Sequence, residues 1–176
     1  MPNRASLIQQ LKKALGLIDT LRMNDENRIK LYEAAYEALD SDPSPKDEAP
    51  DELACANSFN AIHAKAFGGP FYEGNQLSTY FLRKALKESP LFRQTNTPAP
   101  GDVVISPTGF GTRRNPDGSL VIPNGHVGIV MFASDISSND SRPQFRGKWR
   151  TNYTLDSWAD RWVRRGGYPM EIYRRL

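Results

Sequence analysis

Apolar positions divide the chain into a helical first half and a strand-bearing second half. Leu7, Ile8, Leu11, Ala14, Leu15, Ile18 and Leu21 recur at helical spacing behind a Ser6 cap. Ile29, Tyr32, Ala35, Tyr36 and Leu39 repeat the pattern after "NDEN", so residues 1–40 are expected to form a helical hairpin. The run "DSDPSPKDEAP", residues 40–50, is rich in proline and acid and forbids a helix. It marks the boundary with a second unit, residues 41–176. There Asp51 is placed to cap a helix running to about Ala66 and stopped by Gly68, Gly69 and Pro70; another helix is expected from Ser78 to about Lys87.

Beyond Pro100 the character changes. "GDVVISPTG" and "GHVGIVMF" are short, β-branched and bounded by glycine, as buried strands are, with the turn-rich "FGTRRNPDGSLVIPN" between them. "TLDSWADRWV" reads as a helix capped by Thr154 and stopped at Gly166 and Gly167, and "YPMEIYRRL" alternates like a closing strand. Helices followed by strands make the fold class α+β.

Composition adds bounds rather than a function. Apolar and charged fractions of 39% and 24% are those of a globular chain, and a net charge of +3 is too small to point to nucleic acid. No run approaches the roughly 20 apolar residues of a membrane span, and the N-terminus lacks the apolar core and cleavage site of a secretory signal. One cysteine and two histidines cannot build a zinc motif, and no cofactor is implied.

The single cysteine is the chemically informative residue. Near a helix start, free backbone N–H groups and the helix dipole stabilise a thiolate, which is the setting of a nucleophile. Against this, Cys55, Phe59, Ile62 and Ala66 share one helical face, and free cysteine packs well in cores. A nucleophile needs a base. His63, eight residues on and about 12 Å along the axis, is out of reach and reads as a helix-surface or groove residue. His126 opens the "NGHVGIVMF" strand, where Gly125 and Gly128 permit close backbone approach and the strand would hold the imidazole rigidly; its alternative is an ordinary strand-end histidine.

A helix-borne Cys, then "PGDVV", then "GHVGIV", then a polar residue about a dozen positions on resembles the papain-like peptidoglycan hydrolases of the CHAP and NlpC types. "DPSPKDEAPDELACANSFNAIHAKAFG", "SNDS" and "NYTLDSWADRWVRRGG" resemble small lysin-like domains of bacteriophages and prophages, the likeness covering about residues 40–176. It implies a papain-like core behind a helical N-terminal extension, and a cysteine peptidase or amidase acting on peptidoglycan stem peptides or cross-bridges. Cys55 falls on the family's nucleophile, His126 on its base and Asn139 on the group that orients the base, with Asp140 as the fallback and Asp135 nearer the hairpin tip. Asn139 and Asp140 are equally at home in a polar turn.

The departures favour the CHAP pattern: Ala54 precedes Cys55 where NlpC types carry Asp, and no third histidine exists. The Cys55 N–H is the natural first oxyanion donor, and no glutamine in "DPSPKDEAPDE" supplies a second. Tyr72, Tyr80 and Phe110 either line a groove or pack, Trp158 and Trp162 pack the last helix onto the sheet, and Arg164, Arg165, Arg174 and Arg175 read as a solvated basic end. One rival is a catalytically silent wall-binding or virion-structural module, and a second, suggested only by the basic tail, is a nucleic-acid binder, although nucleic acid is not an expected partner. Synthesis in the cytoplasm is expected, followed by release at lysis or delivery within a phage particle.

Overall fold

The computed structural model describes residues 22–44, 54–73 and 77–176, with the backbone alone at 22–24. Helices α1 (Arg22–Glu37), α2 (Cys55–Phe67) and α3 (Thr79–Glu88) precede strands β1 (Phe92–Gln94), β2 (Val103–Ser106), β3 (His126–Val130), β4 (Asp135–Asn139) and β5 (Trp149–Thr154). Helix α4 (Leu155–Trp158) runs into a π-helical stretch, Ala159–Arg165, and β6 (Glu171–Arg175) closes the chain. The fold is α+β, with a six-stranded antiparallel sheet in the order β1-β6-β2-β3-β4-β5. The first helix of the expected hairpin, the Asp51 cap and most of the proline-rich connection lie outside the described residues. No described helix is long and apolar enough to cross a membrane.

Both faces of the sheet are covered, which is why its central strands read as continuous apolar runs rather than alternations. Val103, Ile105, Val127 and Ile129 point to one face, against Leu31 and Tyr32 of α1, Cys55, Phe59 and Ile62 of α2 and Leu82 of α3. Val104, Val130 and Ile136 point to the other, against Trp158, Trp162 and Tyr168. The packing expected of Trp158 and Trp162 is therefore found, and α1 shares one core with α2 and the sheet.

Local chemistry fixes the ends. Helix α2 begins at Cys55 itself, with Ala54 as a cap that offers no side chain, and stops at Gly68 in the left-handed region, φ 83°. Thr154 caps α4 in a reciprocal box with Ser157. The "PGD" turn is seated on α1: Gly101 has φ 89°, and a Cβ there would lie 2.1 Å from the Arg28 carbonyl oxygen. Asp102, fully buried, takes two hydrogen bonds from Arg174 (3.0 and 2.8 Å) and one from the Ala99 N–H (2.8 Å).

Two expectations are corrected by burial. Arg174 and Arg175 do not form a solvated end: Arg174 serves Asp102, and Arg175 is buried over the rings of Phe67 and Phe92. His63 is not at the surface; it sits 5% exposed among Phe59, Phe67, Phe71 and Phe92, its Nδ1 donating to the Gly69 carbonyl at 2.9 Å.

Candidate active site

Cys55 and His126 line one cavity of about 400 Å3, together with Thr79 of α3, Thr108, the Ile122–Gly125 loop, Ser141, Tyr153, Arg161 and Trp162. The two reach it from opposite sides of the sheet. Cys55 occupies the first position of α2 within the first-face core, while the His126 ring turns to the second face at the start of β3. Gly125 makes the passage possible, since a Cβ there would stand 2.2 Å from the Ser106 carbonyl oxygen and 2.3 Å from the Thr108 nitrogen.

The imidazole is held on one side and at one edge. Trp162 stacks on it with centroids 5.0 Å apart and planes 7° apart, and Trp158 lies 5.4 Å away at 30°. At the edge, Nε2 is 2.9 Å from Ser138 Oγ, and the Ser138 hydroxyl donates to Asn152 Oδ1 at 2.8 Å. A serine hydroxyl has one proton to give. With that proton on Asn152, Ser138 accepts from His126, so Nε2 carries the hydrogen and Nδ1 keeps the lone pair of a base.

Both partners owe their positions to the sheet. Ser138 stands directly opposite Gly128, and a Cβ at Gly128 would meet Ser137 O at 2.8 Å and Ser138 Cβ at 3.2 Å. Asn152 is the extra residue of a β-bulge: Ile136 pairs with Tyr153 and Ser137 with Thr151, leaving Asn152 between them. Neither residue was expected from sequence; the signal that finds Ser138 is its register opposite the glycine of "HVG".

Asn139 lies one residue further along β4. Strand alternation turns its side chain to the face opposite that of Ser138. There it pairs in register with Trp149, and its Nδ2 has no hydrogen-bond partner among the described residues. It meets His126 through a backbone hydrogen bond. Asp140, the fallback, is buried and gripped by Arg142 through Nε and Nη2; its charge reaches the imidazole across space. Asp135 is at the far end of β4.

Burial dominates the electrostatics. It pushes the Cys55 thiol up to about 11, against backbone hydrogen bonds at Val127, Ala56 and Cys55 that favour the thiolate. It drives His126 down to about 3, with Arg161 acting in the same direction and Asp140 opposing it. At neutral pH both groups are therefore uncharged at rest, a thiol and a neutral imidazole, and not a standing ion pair. Tyr72, half-buried, is raised to about 12, by burial first and then by the charge of Cys55. Among the described residues, no group of three or more His, Cys, Asp or Glu side chains is placed to hold a metal ion.

A stability consequence follows. The chain has two histidines, and burial lowers both in the folded state, His126 to about 3. In the unfolded chain each titrates near 6.5. Below that value the unfolded state binds more protons, so their contribution is complete above about pH 6.5 and is lost as pH falls towards the folded values. The folding constant should drop by up to about tenfold per pH unit for each ring. Urea midpoints between pH 7.5 and 5, above the main carboxylate window, should fall accordingly; a level midpoint would mean that the rings are charged in the fold.

A chain in the crystal structure of the type VI native effector–immunity complex Tae3–Tai3 from Ralstonia pickettii is similar to this protein at 15% identity and a TM-score of 0.47, over 85% of this chain and 98% of that one. No protein-family model matches the chain, and no curated protein matches it.

Proposed function

We propose that the protein is a cysteine peptidase or amidase of papain-like type acting on the peptide part of peptidoglycan. The observation that carries the reading is that a thiol at the first position of a helix and an imidazole anchored at Nε2 by Ser138 and Asn152 line one cavity. His126 Nδ1 takes the thiol proton as Cys55 Sγ attacks the amide carbonyl. The oxyanion is received by the Cys55 backbone N–H at the α2 terminus. The protonated His126 then gives its proton to the leaving amine, and water, deprotonated by the same nitrogen, releases the acyl group from the thioester. Ser138 and Asn152 hold the imidazole for both steps, Asn139 contributing its backbone. The peptidoglycan assignment rests on the resemblance of "PGDVV" and "GHVGIV" to CHAP- and NlpC-type hydrolases, and release at lysis or delivery in a phage particle belongs to the same proposal.

Purified, dye-labelled sacculi test this against the nucleic-acid alternative. Soluble dye should appear with the protein, while an oligonucleotide should not be retained on it. Retention of the oligonucleotide with intact sacculi would reverse the assignment.

A further inference from the structure

Arg161 is the one charged residue among the described residues that line the cavity of Cys55 and His126. It projects from the π-helical stretch Ala159–Arg165, a geometry that recurs at functional sites. Its guanidinium lies 5.2 Å from the centre of the Trp162 ring, the ring that stacks on His126. Arg83 binds Glu171, Arg142 binds Asp140, Arg164 binds Asp160 and Arg174 binds Asp102, whereas Arg93, Arg113, Arg146 and Arg165 have no ion pair among the described residues but do not line this cavity. No carboxylate among the described residues comes within ion-pair distance of Arg161. Besides Cys55 and His126, the other polar side chains of the wall are the neutral hydroxyls of Ser78, Thr79, Thr108, Ser141 and Tyr153 and the amide of Asn124.

A single unpaired guanidinium in an otherwise uncharged cavity matches one negative charge, and its planar fork matches a carboxylate in shape. We propose that Arg161 binds a carboxylate of the substrate, so that the enzyme selects amides flanked by a free carboxylate over amidated ones. This deepens the amidase reading and rests on it. The same contact bears on the chemistry, because Arg161 opposes charging of His126. A carboxylate on Arg161 offsets that opposition while the imidazolium forms, so the anion should raise kcat as well as lower KM.

The test is calorimetric binding to the Cys55→Ala variant of the 176-residue chain, which removes turnover. The probes are a synthetic peptidoglycan stem tetrapeptide with its carboxylates free and the same peptide with them amidated. The free peptide should bind at least about tenfold more tightly, the scale of one charge-assisted pair. Arg161→Gln should erase the difference, and Arg161→Lys should restore part of it. Equal binding of the two peptides, binding of neither, or a preference that survives Arg161→Gln would each overturn the proposal. Hydrolysis of the free peptide by the wild-type protein is scored separately: a carboxylate preference without cleavage would sink the amidase reading and leave the anion site standing.

Discussion

Replacing His126 by alanine is expected to lower hydrolysis of sacculi by about 100- to 10,000-fold, the range for loss of a positioned general base. The thiol makes this loss severe. With burial holding Cys55 at about 11, almost no thiolate exists at neutral pH without a base to take the proton during attack. Ser138→Ala should cost less, about tenfold or more through misplacement of the ring. It removes the acceptor that fixes the hydrogen on Nε2 and strands Asn152 Oδ1. Asn139→Ala should leave turnover near that of the wild type, because the main-chain contact survives the substitution. Steady-state rates on one sacculus preparation, with circular dichroism to confirm folding, check all three. A crippled Asn139 variant beside a healthy Ser138 variant would return the orienting role to the Asn139 side chain.

Asp102→Ala should destabilise the fold by about 3–5 kcal/mol, the cost of removing one partner from a buried ion pair. Asp102 is fully buried and the Arg174 side chain is 18% exposed, so the arginine left behind keeps its charge with little water to solvate it. The Ala99 N–H loses its acceptor as well, and with it the turn that seats Gly101 on α1. Replacing both partners by apolar residues, Asp102→Leu with Arg174→Met, should recover much of the loss. Urea unfolding measures both variants. A single-variant loss under about 1 kcal/mol would show that the pair is as solvated as a surface one.

Much of this fold is legible in the chain because its signals are local. Gly68 ends α2, Thr154 begins α4, and the β-branched runs around Val103 and Val127 mark strands covered on both sides. Strand β4 is harder to see, since "DISSN" carries little hydrophobicity and yet is buried from Ile136 to Asn139. Its serines are satisfied across the sheet, Ser137 by Thr151 at 2.9 Å and Ser138 by Asn152, and hydropathy does not register such pairing.

The candidate site divides the same way. Cys55 and His126 announce themselves through a helix start and a glycine-flanked strand. The group that holds the ring depends on strand register, where a slip of one residue exchanges the faces of Ser138 and Asn139. Asn152 depends on a bulge in a strand whose pairing no local pattern reveals. Arg174 and Arg175 mislead for a related reason: the carboxylate and the aromatic rings that take them indoors lie far away in sequence, Asp102 for the first, Phe67 and Phe92 for the second.

The central claim is that Cys55 carries the acyl group of a cleaved amide. The most direct measurement is intact-protein mass spectrometry of wild-type protein mixed with the free-carboxylate stem tetrapeptide and quenched in acid within the first turnovers. The mass should rise by that of an acyl fragment, peptide mapping should place the fragment on Cys55, and hydroxylamine should remove it. Cys55→Ser should show no thioester. Cleaved peptide that accumulates with no adduct on Cys55, at a rate unchanged in Cys55→Ala, would contradict the account.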